Sequence, residues 1–298
     1  MATTTTPVDG AHGFELKRRP KWLWIALSLV VVVALVIAAR FVFFGKAQSP
    51  NEIAGATLVV ATNEGNAAEQ ALIEYIAREV APRHGITVAF RGLADSNTIN
   101  RAVSDGEVAG TIYQHKLWLG QVLEANPDFR EEAATPVFRW GFGIWSDKYT
   151  DAAQLPDGAN VSLYSDPANE AQGLWLLERA GLITLDPAVN KWTATQKDIV
   201  ANPKDLKFTL LDFAAQSRSL PDLDAAVGYT EYYLAAKVPL QYQIFAPPAP
   251  DEFAGQLTIG SRWADTDNIK KLVETFKDPA VQQFLATDPS VKNILLPL

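Results

Sequence analysis

Cysteine is absent from all 298 residues of this sequence. That excludes disulfides, thiolate metal sites, cysteine nucleophiles and lipid attachment to an N-terminal cysteine. Histidine is nearly as scarce, at three residues, one of them (His12) in the N-terminal tail. A His-rich metal site is therefore not expected. The usual catalytic and cofactor spacings are also missing: there is no Gly-x-Gly-x-x-Gly, P-loop, Gly-x-Ser-x-Gly or His-Glu-x-x-His, so neither an enzyme nor a cofactor is signalled. Positive charge is short beyond residue 46. The whole chain carries a formal charge of -8, but residues 47–298 hold 20 basic and 32 acidic residues, a net of -12. An acidic globular part repels phosphate backbones, which argues against nucleic acid as a partner. Acid pairs such as Glu131-Glu132 and Asp222…Asp224 read as solvated faces. A hydrophobic fraction of 48% with 20% charged residues is nevertheless globular, and the length suits one large or two modest domains.

One long uncharged run is present. Residues 1–16 have too little apolar pattern to fold, and with the basic cluster Lys17-Arg-Arg-Pro-Lys21 they form a disordered tail, residues 1–21. Trp22 to Ala39 carries no charge, and Phe41 to Phe44 extends the run past Arg40. A bilayer crossing takes about 20 residues, and Trp22, Trp24 and the Phe cluster sit where interfacial aromatics belong. The alternative is a cleaved signal peptide, whose apolar region runs about 7–15 residues before a small-residue site. Ala38-Ala39 imitates such a site, but the run is longer and Phe-rich beyond it. The reading taken is an uncleaved signal-anchor, a transmembrane helix over residues 22–44. More positive charge precedes the span than follows it, so the N-terminus is expected in the cytoplasm and everything after the linker, residues 45–56, outside the cell membrane.

The remainder alternates strand and helix. Thr57 to Ala61 reads as a strand, Ala67 to Val80 as a helix ended by Pro82 and Gly85, Ile86 to Phe90 as a strand, and a helix begins at Asp95-Ser-Asn97. This order implies parallel strands with right-handed crossovers. Phe138 to Trp145 reads as one strand passing from a first domain to a second. Val161 to Tyr164 and Phe208 to Leu211 are strands, and Gln241 to Phe245 returns the chain. Asp267 to Phe276 and Pro279 to Thr287 are closing helices. The organisation expected is two α/β lobes, residues 57–137 plus 246–298 and residues 138–245, with a hinged cleft suited to a small solute.

Two stretches carry the candidate site. In Val108 to Leu119 a β-branched strand turns polar at Gln114-His115-Lys116 and runs directly into a helix. Open α/β sheets place ligands at such carboxyl ends. Tyr113, His115 and Trp118 can face that crevice. Equally, Tyr113 and Trp118 can be core aromatics and His115 a hydrogen-bonded loop residue. In Ser165-Asp166-Pro167-Ala-Asn169 a helix starts with an acid cap and a proline in its first turn. Its free N–H groups suit a carboxylate or another anion, with Asn169 and Gln172 one helical step apart. Otherwise Asp166 only caps and Asn169 faces solvent.

These residues resemble the NlpA/MetQ family, the methionine-binding lipoproteins of ABC importers. Tyr113-Gln-His-Lys-Leu-Trp-Leu119 is similar to the family's Phe-Gln-His-Lys-Pro-Tyr-Leu. Asp166-Pro-Ala-Asn169, with Gly181-Leu-Ile183 after it, resembles its Asp-Pro-Thr-Asn helix and Val-Gly-Leu-Ile. Ala201-Asn-Pro-Lys-Asp-Leu206 resembles its Glu-Asn-Pro-Lys-Asn-Leu. The resemblance spans residues 57–290. It implies a two-lobe type II periplasmic-binding-protein fold, an extracytoplasmic solute-binding role in transport, and partnership with an ABC permease and its cytoplasmic ATPase. It also implies ligand contacts at Tyr113, His115, Trp118, Trp140, Asn169, Gln172 and Tyr229. Three departures stand out. Gln172 stands where the family has an Arg for the ligand's α-carboxylate, Tyr229 where it has an Asn for the ligand's polar end, and Ala94-Asp-Ser96 where it has Asn-Asp-Tyr. The lipid-bearing Cys is missing as well. The expectation is a membrane-anchored binding protein for methionine or a related solute. Its rivals are a ligand-free sensor or interaction module on the same fold and an anchored hydrolase.

Overall fold

The computed structural model describes residues 48–298, and the expected tail and transmembrane helix lie outside them. Among the described residues no helix is long and apolar enough to cross a membrane.

Two mixed sheets carry the chain. The first contains β1 (Thr57–Asn63), β2 (Thr87–Leu93), β3 (Gly110–His115), β4 (Glu131–Trp140), β12 (Ala254–Gly260) and β13 (Leu295–Leu296), in the order β13-β4-β12-β3-β1-β2. As the alternating pattern requires, β1 is parallel to both β2 and β3, while β12 runs antiparallel to β3 and β4. The second contains β5 (Phe142–Trp145), β6 (Asn160–Tyr164), β9 (Lys207–Leu211), β10 (Ala225–Tyr229) and β11 (Gln243–Phe245), in the order β11-β5-β10-β6-β9. The short β7 (Thr184–Leu185) and β8 (Ile199–Ala201) form a separate pair. Among the described residues, eight α-helices connect these strands: α1 (Ala67–Tyr75), α2 (Ser96–Asp105), α3 (Lys116–Ala125), α4 (Pro167–Arg179), α5 (Phe213–Ser219), α6 (Thr230–Ala235), α7 (Asp267–Phe276) and α8 (Pro279–Thr287). Leu58, Val60 and Ile112 from the first sheet, and Val161, Leu163 and Val227 from the second, are fully buried.

Three expectations need correction. The helix expected over residues 67–80 is α-helical only to Tyr75. A π turn covers Ile76–Val80 and a 3-10 turn Ala81–His84, closed by Gly85 at φ +68°. Pro82 has no N–H to continue an α ladder, so the last turns change pitch. The single strand expected over residues 138–145 is two strands in different sheets, broken at Gly141. There a Cβ would lie 2.1 Å from the Asn293 carbonyl oxygen and 2.7 Å from Thr230 Oγ1. Gly141 donates its N–H to Ile294 O (2.7 Å) and accepts from Thr230 N (2.8 Å), so only a residue without a side chain can pass. Finally, Glu131 and Glu132 are not a solvated pair. They open β4, so their side chains alternate, and Glu132 is exposed while Glu131 is buried. Among the described residues, both Glu131 carboxyl oxygens lack a hydrogen-bond partner. Burial pushes its carboxyl up to about 8, so it is held protonated at neutral pH.

Candidate functional site

The carboxyl ends of β1, β3, β4 and β10 converge with the N-terminal turns of α1, α3, α4 and α6 around a cavity of about 650 Å³. Its walls include Tyr113, His115, Trp118 and Trp140 from the first-sheet side and Asn169 and Tyr229 from the second. Tyr113 reconciles both of its expected roles. Its ring packs on the α2 cluster around Ile99, its oxygen accepts from Asn100 Nδ2 at 2.6 Å, and one side lines the cavity. Trp118, in the first turn of α3, lines it too and meets Phe213 of α5 edge-on, with centroids 6.2 Å apart.

His115 ends β3 and caps α3. Its Nδ1 accepts from the Trp118 backbone N–H at 3.2 Å. A ring nitrogen that accepts carries no proton, so the proton sits on Nε2. That nitrogen donates to Asn169 Oδ1 at 3.3 Å. The imidazole is 3% exposed, and burial pushes its pKa down to about 4. It is therefore neutral at physiological pH.

Asn169 is oriented by the helix it opens. Its backbone N–H (2.9 Å) and its Nδ2 (2.8 Å) both donate to Asp166 Oδ1. With both nitrogens committed, Oδ1 is left to accept from His115 and from the Tyr229 hydroxyl at 2.5 Å. The anion at this helix start is thus the chain's own Asp166, which corrects the expectation of a free N–H site for a carboxylate. The expected solute contact by Gln172 also changes. Gln172 is 1% exposed, does not line the cavity, and its amide lies 2.8 Å from the Tyr229 oxygen. The single hydroxyl proton serves Asn169. The Gln172 amide completes the geometry when its NH2 is turned to donate to the Tyr229 oxygen. Gln172 and Tyr229 therefore pair with each other.

Sequence reasoning missed two acids in this wall. Glu69 lies in the first turn of α1, where Asn66 caps by accepting from the Glu69 N–H at 3.1 Å. The Asn-x-x-Glu spacing was the available signal. Glu69 does not close a capping box. It turns inward, accepting from Trp140 Nε1 (3.2 Å) and from Thr62 Oγ1. Glu231, beside Thr230 at the start of α6, accepts from Asn66 Nδ2 at 3.0 Å. Its other oxygen has no hydrogen-bond partner among the described residues. Burial pushes Glu69 up to about 7; burial and then the Glu69 charge push Glu231 up to about 8. Among the described residues no Lys or Arg lines the cavity.

The sequence profile of the family described as NlpA lipoprotein matches residues 58–296. The chain belongs to that family. The methionine-binding lipoprotein MetQ of Bacillus subtilis is 31% identical over 265 residues, covering 87% of this chain and 93% of that protein. The probable D-methionine-binding lipoprotein MetQ of Haemophilus influenzae is 29% identical over 251 residues, 83% and 91% of the respective chains. Among solved structures, a nutrient-binding protein from Burkholderia cenocepacia bound to methionine superposes with a TM-score of 0.68 at 28% identity, covering 80% of this chain and 98% of that one. The α/β periplasmic-binding-protein fold follows from the family. Its named relatives are binding proteins, and this chain is a binding protein rather than an enzyme.

The buried acids set a pH dependence. Glu69, Glu131 and Glu231 have folded pKa values above the ordinary 4.5, so their stabilising protonation is complete below about 4.5 and lost as pH rises through 7 to 8. His115, lowered from 6.5 to about 4, acts oppositely but only below about 6.5. Between pH 6.5 and 8.5 the melting temperature is expected to fall, and Glu231→Gln to reduce that slope. Scanning calorimetry at four pH values checks this; an equal slope in the variant contradicts it.

Proposed function

We propose that this chain is a membrane-tethered extracytoplasmic solute-binding protein of an ABC importer, which captures a small solute in the cavity between two lobes. The observation that carries the reading is the polar chain His115–Asn169–Tyr229, which runs from the first sheet to the second across an aromatic-walled cavity in a chain of the NlpA lipoprotein family. A second link, Asn66 to Glu231, also joins elements of the two sheets. Each sheet is the heart of one lobe, with crossings at Gly141 and in residues 246–253. Ligand contacts are assigned to Tyr113, His115, Trp118, Trp140, Asn169 and Tyr229. Gln172 acts behind them, by holding Tyr229. Closing the lobes on solute would present the loaded form to a permease coupled to a cytoplasmic ATPase.

Methionine is the solute named for several relatives. In this pocket a ligand carboxylate loses the charge-assisted partner that the family pattern supplies, which costs on the order of 1.5–3 kcal/mol. Calorimetric titration of the chain with L- and D-methionine tests the reading. Gln172→Arg combined with Tyr229→Asn restores the family's pair and removes the Tyr229 plug. It should tighten methionine binding about 10- to 150-fold; an unchanged affinity contradicts this account of the pocket. The closed Gln172–Tyr229 contact also favours a second reading, a sensor or interaction module without a ligand, and silence toward a broad metabolite panel would select it.

The tether is assigned to residues 22–44, since a chain without cysteine cannot carry the thioether-linked lipid of a lipoprotein. The full chain should stay in the membrane pellet after alkaline carbonate extraction, and its release into the supernatant would contradict the anchor.

A further inference from the structure

We propose that the cavity takes a small organic cation, an ammonium compound without a carboxylate. The inference rests on the solute-binding reading above and names its substrate class.

Three independent features of the wall point the same way. The first is its acids. Glu69 comes from the first-sheet side and Glu231 from the second, and both line the cavity. Glu231 keeps one oxygen without a partner among the described residues, available to an incoming donor. The second is its rings. Trp118, Trp140, Phe213, Tyr229 and Tyr232 line the same space, with Trp140 and Tyr229 edge to face at 5.8 Å and Phe213 stacked on Tyr229 at 6.2 Å. Ring faces attract a desolvated cation and give nothing comparable to an anion. The third is the lack of a positive group among the described residues: none of their Lys or Arg lines the cavity. His115 is neutral because it is buried, with Nδ1 accepting from the Trp118 N–H, and the N-terminus of α4 is taken by Asp166. A carboxylate entering here would face three glutamates, Glu64, Glu69 and Glu231, with no Lys or Arg among the described residues to offset them. An ammonium would meet these carboxyls within an aromatic wall.

The other titratable groups around the pair do not alter this balance. On the first-sheet side they are Glu64, Tyr113 and His115; on the second, Tyr229 and Tyr232. Burial holds the tyrosine hydroxyls above their usual range, so they stay neutral. Without a ligand, burial favours the protonated acids. A bound cation favours their carboxylates, so its binding should release protons near neutral pH.

The test is calorimetric titration of the full chain in detergent at pH 7.5. The probes are 3-(methylthio)propylamine, choline and tetramethylammonium, with 3-(methylthio)propan-1-ol as the neutral isostere of the first and L-methionine as its carboxylate-bearing form. At least one cation should bind ten or more times tighter than both the alcohol and methionine. Glu231→Gln should cut the amine-to-alcohol affinity ratio at least tenfold. Glu69→Gln serves as the second variant should Glu231→Gln melt early. Methionine binding tighter than every cation overturns the substrate class and leaves the solute-binding reading intact. A variant that weakens amine and alcohol equally shows a structural glutamate and overturns the charge argument. No binding by any probe or by a metabolite panel overturns both readings together.

Discussion

The site depends on one lone pair. His115 Nδ1 is occupied by the Trp118 backbone N–H because the residue that ends β3 also caps α3. That fixes the tautomer and sends Nε2–H toward Asn169. Asn169 in turn has no freedom of orientation, since both its nitrogens donate to Asp166. Its one remaining acceptor takes His115 and Tyr229 together. The direction of every bond in this chain follows from the first, and the chain links β3 to β10 along the cavity wall. Reversing the imidazole would leave Trp118 N–H unpaired and set a ring lone pair against an amide oxygen, each at a cost of about 1–3 kcal/mol.

The same constraint decides the electrostatics. A histidine locked as neutral Nε2–H, and pushed down to about 4 by burial, supplies a dipole but no charge. Gln172 and Tyr229 satisfy each other, and neither carries a positive charge. The titratable weight of the wall therefore falls on Glu69 and Glu231. The cavity is walled by aromatic rings, and a cation is the solute proposed for it.

Much of the architecture was legible because it is written locally. The acid cap Asp166 with Pro167 marks α4, the switch from Val108–Tyr113 to Leu117–Leu123 marks the β3–α3 junction, and α7 and α8 lie where their periodicity puts them. What the sequence hid depends on distant partners. Residues 131–137 look polar and contain Pro136, yet they form a strand because β12 pairs along them. β13 is two residues long and exists only against β4. Gly141 separates the sheets because Asn293 and Thr230 crowd it, which no local pattern records. In the site, the aromatics and His115 were visible as a motif. Glu69 and Glu231 were not, since a glutamate after a cap normally faces water and only tertiary packing turns these two inward. That Gln172 and Tyr229 meet is likewise a property of the fold: they are 57 residues apart in the chain.

The protonation state of His115 tests the account most directly. Long-range ¹H–¹⁵N correlation spectra of ¹⁵N-labelled protein, recorded from pH 8 down to 4.5, distinguish the two neutral tautomers from the imidazolium. The account predicts a neutral ring protonated on Nε2 at pH 7 and still neutral at pH 5, below the usual histidine range. An imidazolium at pH 7, or a ring protonated on Nδ1, would contradict it: the chain to Asn169 and Tyr229 would then run differently, and the cavity would hold a positive charge of its own.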